Sequence, residues 1–390
     1  MTKNPRLGVW FAAAAMIFFT RALLFSTWQS RGPEVQAALH LNTAQMGLLV
    51  MLYPAGGLLG ILFASSLSDR FGPGKLTIVG FSVAALSLAG LGVSVPAGNI
   101  WLSGLFLIGM GLPMAIADFT GNYEGTEVDK RAKRSLFPAI HAAFGIGMML
   151  AAAFAGHLLS NKFGLSLNYT VVAVIVAAGS IWAGFVFPKH TAEKVSASEK
   201  KAASALERKV WSEKRTLLIA LIGFSFIMAE ISAGTWVPIA LRNSGFTGAA
   251  AANAFGLFWV VITVTRGVGG FVVDRIGRFG AILASTIVTS IGIAVFILDA
   301  TIHMPYLGLV LWGVGIALGF PMSVNSMSDN PAKSAARINM IITVVYISSI
   351  SVGPVLGAVG QAFGIYFAFS VPLILMVASA LVSRATKPEN

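Results

Sequence analysis

Five ionisable side chains, Arg21, Asp118, Glu230, Arg266 and His141, lie within or near the ends of otherwise apolar runs. An unpaired charge in hydrocarbon costs about 3 kcal/mol, so such groups face one another, the protein interior or a water-filled cavity. A carboxylate can take up and release a proton, whereas a guanidinium keeps its charge. Protonating the acid of such a pair frees the arginine for an anionic group, which is chemistry suited to coupling proton and solute movement. In "FFTRALLFSTWQSR" (18–31) the arginine stands in a run that is apolar on both sides. Counting from Leu7 and Thr216, Arg21 and Glu230 each fall about 21 Å into their runs, which predicts an Arg21–Glu230 pair at one level. Asp118 and His141 fall about 9 Å and about 6 Å deep, within reach of a mutual hydrogen bond. Asn122 is one helical turn below Asp118 on the same face.

These residues need helices that cross a bilayer. Of the 390 residues 56% are hydrophobic and 11% charged, about half the charged share of a soluble chain. Apolar runs of about 20 residues recur along the whole length, each long enough to cross as a helix. They are continuous and rich in Leu, Ala and Gly, unlike the alternating strands of a barrel. Twelve spans are expected, at 7–29, 44–67, 75–95, 101–123, 137–160, 168–188, 216–240, 250–272, 279–299, 304–327, 337–359 and 363–383. The first is too long for a signal-peptide core and ends without a cleavage pattern. With the N-terminus inside, 22 of the 27 Lys and Arg fall in cytoplasmic segments. Only Arg31, Lys162 and Arg242 fall outside, and Arg21 and Arg266 lie within spans. That bias predicts both termini in the cytoplasm of a multi-pass inner (plasma) membrane protein. The net charge of +12 then reflects topology and attraction to anionic lipid, and nucleic acid is not expected as a partner. Zero cysteines exclude disulfides and thiolate chemistry.

The long polar segment 189–215 divides the chain into two six-span bundles, 1–188 and 216–390, and reads as a solvated linker with some helical character. The halves repeat. "SSLSDRFGPGK" (65–75) follows span two and "GFVVDRIGR" (270–278) follows span eight, separating Asp69 from Asp274 by 205 positions. "IGMGLPM" (108–114) corresponds to "WGVGIAL" (312–318), and Arg134 to Arg337, at nearly the same offset. A duplicated six-helix unit is the architecture of alternating-access transporters. Glycine-rich stretches such as "GGLLG" (56–60) read as close-packing seams.

Asp-Arg-x-Gly after spans two and eight resembles the cytoplasmic loop signature of the major facilitator superfamily, across essentially the whole chain. The resemblance implies an all-α fold of two pseudo-symmetric six-helix bundles, with spans one, four, seven and ten around a central cavity. It implies a cytoplasmic gate built from Asp69, Arg70, Asp274, Arg275 and Arg278. There each aspartate meets the start of a helix in the other half, Asp69 near Arg337 and Asp274 near Arg134. A carboxylate at a helix N-terminus is favoured by the helix dipole. "ADFTGNYEG" (117–125), "FPAIHAAFGIG" (137–147), "AEISAGTWVP" (229–238) and "LGFPMSVNSMSD" (318–329) are similar to the fucose-permease-like branch, which includes poorly characterised bacterial members. In that branch's sugar–proton symporters the span-four carboxylate couples the proton, a role that carries over to Asp118. The branch's second acid, late in span one, has no counterpart in "STWQSR" (26–31).

Arg266, eight residues before Asp274, is expected in the cytoplasmic gate with Asp329 or the span-ten backbone. Its rival role is a second anion-binding arginine beside Arg21. Trp28, Tyr53, Trp236, Trp259, Trp312 and Tyr346 are candidates to stack on a solute, although packing or an interfacial belt competes for each, and Asn122 and Asn325 are candidates for solute binding or the gate. The sequence thus predicts a monomeric, proton-coupled transporter of a small polar or anionic solute, such as a sugar or organic acid. Asp118, Glu230 and His141 would carry protons and Arg21 would be the substrate or gate cation. Proton-driven drug efflux is the alternative, and a membrane sensor or enzyme is a remote one. No nucleotide-binding motif, cofactor motif or metal cluster is legible.

Overall fold

A computed structural model describes residues 5–132, 136–188, 206, 208–302 and 305–389. Among the described residues, eleven helices are long and apolar enough to cross a membrane. One of them, Gly248–Ile302, holds two spans, because its helical geometry breaks at Gly277 (φ 68°, ψ 168°). Twelve crossing segments result. Span one is Leu7–Ser30, span two begins at Thr43 and ends at Phe71, and span three is Pro73–Ser94. Spans four to six are Ile100–Ala132, Phe137–Ser160 and Leu165–Val186. Span seven is Lys214–Asn243, and spans ten and eleven are Pro305–Met327 and Ser334–Phe363. Span twelve runs from Ile365 through Ser370–Val382. A short helix, Gly32–Ala38, follows span one.

The repeat seen in sequence is also a repeat of backbone. Gly72 ends span two at φ 78°, ψ 157°, and Gly277, 205 positions later, breaks the long helix at nearly the same angles. Positive φ is open to glycine and costly for other residues. The glycine of each Asp-Arg-x-Gly loop therefore makes the turn that folds one span back on the next. Span four departs from its expected extent, running nine residues further, through Glu124, Asp129 and Lys130. Polar composition ended the expected span, but a helix has no need to stop where hydrocarbon does.

Packing clusters the chain into two compact units, Met1–Ala192 with Val237–Gly256, and Glu193–Trp236 with Leu257–Asn390. In the first, span four closes on span two at contact with backbone: a Cβ on Gly111 would strike the carbonyl of Tyr53, and one on Gly60 the carbonyl of Leu112. Gly121 meets Ile17 and Gly147 meets the Phe19 carbonyl, at 2.8 and 2.7 Å from an added Cβ. Spans four and five are thereby fixed against span one, the helix carrying Arg21. In the second unit Gly269 abuts Leu318 and Gly319 abuts the Phe226 ring, drawing spans eight and seven onto span ten. Of the polar connector 189–215, residues 189–205 and 207 lie outside the described residues. Its far end is not simply solvated: Val210 is fully buried with Ile219, Met327 and Ile341, and Leu206 packs against them.

The seams give a paired stability test. Gly111→Ala is expected to lower the thermal midpoint in detergent, by the about 1–3 kcal/mol of overpacking. Gly267→Ala has open space around its Cβ and should raise it, since alanine is favoured in a helix by about 0.5–1 kcal/mol. A midpoint for Gly111→Ala equal to the parent's would contradict the seam.

Candidate functional site

Two groups of charges in the second unit are held by named contacts. The first lies deep in the helices. Arg266 of span eight donates from Nη2 to Glu230 Oε2 at 3.0 Å and from Nε to the carbonyl of Ala317 at 3.0 Å. Glu230 sits about 24 Å from the Lys214 end of its helix. The span-ten carbonyl lies beside the Gly269 and Gly319 contacts, so glycine seams and charge pair occupy one region of spans seven, eight and ten. The side chains are 35% exposed for Arg266 and 16% for Glu230, so the pair is partly desolvated. A guanidinium that spends one arm on a fixed carbonyl and another on a carboxylate is oriented by the first and neutralised by the second.

This corrects one expectation. Glu230 makes its ion pair with Arg266 in its own unit, where equal depth had assigned it to Arg21. Arg266 does bond the span-ten backbone as one alternative had it, but Asp329 belongs to other arginines. Depth follows from counting residues, whereas partner choice depends on how each helix is rotated about its axis.

The second group lies at the helix ends nearest the chain's C-terminus. Asp329 receives a two-pronged bond from Arg278, 2.7 Å to each oxygen, and a third from Arg215 at 2.6 Å. Arg278 also donates to Asn325 Oδ1 at 3.1 Å and to the Thr386 carbonyl at 2.8 Å. Asn325 therefore belongs to this charge cluster, in keeping with the gate alternative of its two expected roles. Arg337, only 4% exposed in its side chain, bonds Glu213 at 2.8 Å and Glu389 at 2.9 Å, and Lys333 joins Glu213 at 2.6 Å. The C-terminal tail is thus tied to the starts of spans seven, nine and eleven. Hydropathy had passed over Glu213, Arg215, Lys333 and Glu389 as loop and tail.

Burial pushes the Glu213 carboxyl up, but bonds from Lys333, Thr216 and Arg337 overcome it and hold the group at about 2. Hydrogen bonds from Arg278 hold Asp329 below the usual carboxylate range, and those from Arg337 do so for Glu389. Groups with depressed folded values contribute stability that is complete above their unfolded values and lost as pH falls through the folded ones. The cluster should therefore loosen between about pH 4 and pH 2. Glu34, in the short helix after span one, has the opposite sign. Burial raises it against the fields of Arg31 and Arg242, and one of its oxygens is buried without a hydrogen-bond partner among the described residues. Its charge is a penalty that grows as pH rises from the ordinary 4.5 through the raised value. Glu34→Gln is expected to raise the thermal midpoint at pH 7 and to match the parent near pH 4. An unchanged difference across that range would overturn the assignment.

The first unit places its candidates separately. Arg21 lies over the ring of Phe144 at 5.2 Å, and His141, exposed, packs on Phe18 with ring centres 4.2 Å apart. Tyr53 stacks on Phe25 at 5.6 Å. Trp28 is buried and Asn122 half-buried. The side chains of Asp118 and Asp69, and all of Arg134, lie outside the described residues. Arg70 lies over the adjacent Phe71 ring at 5.2 Å, while Asp274 and Arg275 are exposed. Glu124, read from sequence as loop, is buried and accepts from the Trp10 indole at 2.7 Å. Buried Arg31 donates to Asn168 at 3.0 Å and to the Phe163 carbonyl at 3.2 Å.

The remaining aromatics of the second unit divide by surroundings. Trp312 is enclosed by Phe258, Phe296 and Phe369, with ring centres 5.7 to 6.1 Å away, which is packing. Trp259 meets Phe258 edge-on, and Tyr346 is half-buried. Trp236 is fully buried, and its indole N–H has no acceptor among the described residues. Buried donors are seldom left so.

Residues 9–354 match the family model described as Major Facilitator Superfamily. The glucose/galactose transporter of Brucella abortus is 23% identical over 393 residues, covering 96% of this chain and 93% of that protein. Among solved structures, a single-substitution variant of the nucleoside transporter NupG superposes with TM-score 0.78 at 16% identity, covering 97% of this chain and 98% of that one. A single-substitution variant of the fucose:proton symporter FucP of E. coli superposes with TM-score 0.63 at 17% identity, covering 97% of this chain and 98% of that one.

Proposed function

The chain belongs to the Major Facilitator Superfamily, and from that membership we propose that it is a proton-coupled secondary transporter of a small polar solute, working by alternating access. The observation that carries the reading is the Glu230–Arg266 pair. A carboxylate inside a membrane, held by one guanidinium that is itself anchored to a span-ten carbonyl, can exchange its proton without dismantling the helix contacts. Protonation of Glu230 releases a positive arm of Arg266 toward an electron-rich solute group, and return of the proton to water restores the pair. Asp118 and His141 are proposed as further proton carriers, and Arg21 and the unsatisfied Trp236 N–H as solute contacts.

A sugar-like or nucleoside-like solute is supported by the solutes of the similar transporters and by the donor-rich residues proposed. The positive-inside count supports a cytoplasmic side for both termini, a place in the inner membrane, and a cytoplasmic gate that includes the Asp329 and Arg337 cluster. The test is uptake of labelled glucose, galactose, fucose and uridine into proteoliposomes, with and without an imposed pH gradient. Gradient-dependent accumulation of at least one is expected. Uptake that equilibrates and ignores the gradient for every transported solute would refute proton coupling. Resistance to lipophilic cations on overexpression, without uptake of any of the four, would favour efflux instead.

A further inference from the structure

We propose that the first unit carries a binding groove for a phospholipid with an anionic headgroup, between spans two, three and four. The groove has a volume of about 630 Å³. Its floor is apolar and buried, including Leu76, Pro113 and Ile116, and its rim of Phe71, Val79, Val83 and Leu105 is exposed on the outer surface of the unit. Among the described residues, only two polar side chains line it, Lys75 at one end and Ser87 toward the other. A polar solute finds nothing there to replace its water, whereas an acyl chain needs nothing more than the walls supply.

Length and charge identify the occupant. From Lys75 to Ser87 span three rises about 18 Å, close to the about 15 Å of one leaflet's hydrocarbon. Lys75 is exposed at the end where the headgroup of such a lipid would lie, and Arg70, also exposed, is in the same loop region. Each cation near the membrane surface attracts anionic lipid by about 1 kcal/mol. Acyl walls with a cationic cap at one leaflet's depth fit a single phospholipid, and fit an anionic one better than a zwitterionic one. The leaflet rests on the proposed orientation, in which Lys75 is cytoplasmic. Because the groove borders the loop 69–75, an occupied groove would also brace one of the two Asp-Arg-x-Gly turns.

The absence of cysteine gives a direct probe. Val83→Cys, labelled with bimane, is reconstituted in phosphatidylcholine vesicles containing a fixed fraction of either brominated phosphatidylglycerol or brominated phosphatidylcholine. At that fixed fraction, quenching by the glycerol lipid is expected to be at least 3-fold stronger, and Lys75→Gln combined with Arg70→Gln should equalise the two. A control label at Leu381→Cys, 80% exposed in the second unit, should show no preference. Equal quenching by both lipids at Val83, or the same preference at Leu381, overturns the site. Lys75→Cys should react with a membrane-impermeant maleimide from the cytoplasmic side only. Reaction from the other side overturns the leaflet, and neither readout depends on transport or on its coupling.

Discussion

Replacing Glu230 by Gln is expected to abolish gradient-driven accumulation, reducing it at least 10-fold, while leaving exchange of solute across the membrane at equilibrium largely intact. The glutamine keeps the shape of the side chain and an oxygen that can accept from Arg266 at the observed 3.0 Å, so the helix contacts survive. What it removes is the titratable proton. Carriers that have lost only the coupling proton still shuttle loaded solute, so exchange and accumulation separate. Arg266→Lys should damage both, because an ammonium lacks the fork that serves the Ala317 carbonyl and Glu230 together. Accumulation by Glu230→Gln equal to the parent's would remove Glu230 from the coupling path.

Arg337→Ala is expected to give the largest loss of stability in the second unit. Its guanidinium is nearly inaccessible and answers Glu213 and Glu389 together. Removing one partner of a buried pair costs about 3–5 kcal/mol because the other charge is stranded. Here the carboxylates are 17% and 29% exposed, and Glu213 keeps Lys333, so about 2 kcal/mol is a better figure. That corresponds to a fall of about 4–8 °C in the thermal midpoint. Glu389→Gln should cost less, and adding it to Arg337→Ala should cost less than the sum of the two, since they share a contact. Strict additivity would show that the tail is not held by Arg337.

Much of this was legible in the residues. The fold followed from span count, the positive-residue bias and the 205-residue repeat, and the repeat reached the backbone because Gly72 and Gly277 both supply a positive φ. The five intramembrane charges were found because charge in an apolar run is rare and therefore informative. Their pairing was less legible. Residue counting gives depth but not rotation about the helix axis, so counting paired Glu230 with Arg21 whereas Glu230 bonds Arg266. Glu213 and the tail residue Glu389 escaped for another reason: hydropathy ends its account at the span, and the charge cluster is assembled from span ends, connector and tail. Glu124 was hidden the same way, by a helix that continues into polar sequence to place a carboxylate on Trp10.

The most direct test of proton coupling is simultaneous measurement of solute and proton entry into proteoliposomes loaded with a pH-sensitive dye, with no gradient imposed at the start. Adding a transported solute outside should shift the internal pH in step with solute uptake in the parent protein. In Glu230→Gln the solute should still equilibrate with no pH shift. Solute entry in the parent without any pH change, or the same pH change in Glu230→Gln, would contradict the account.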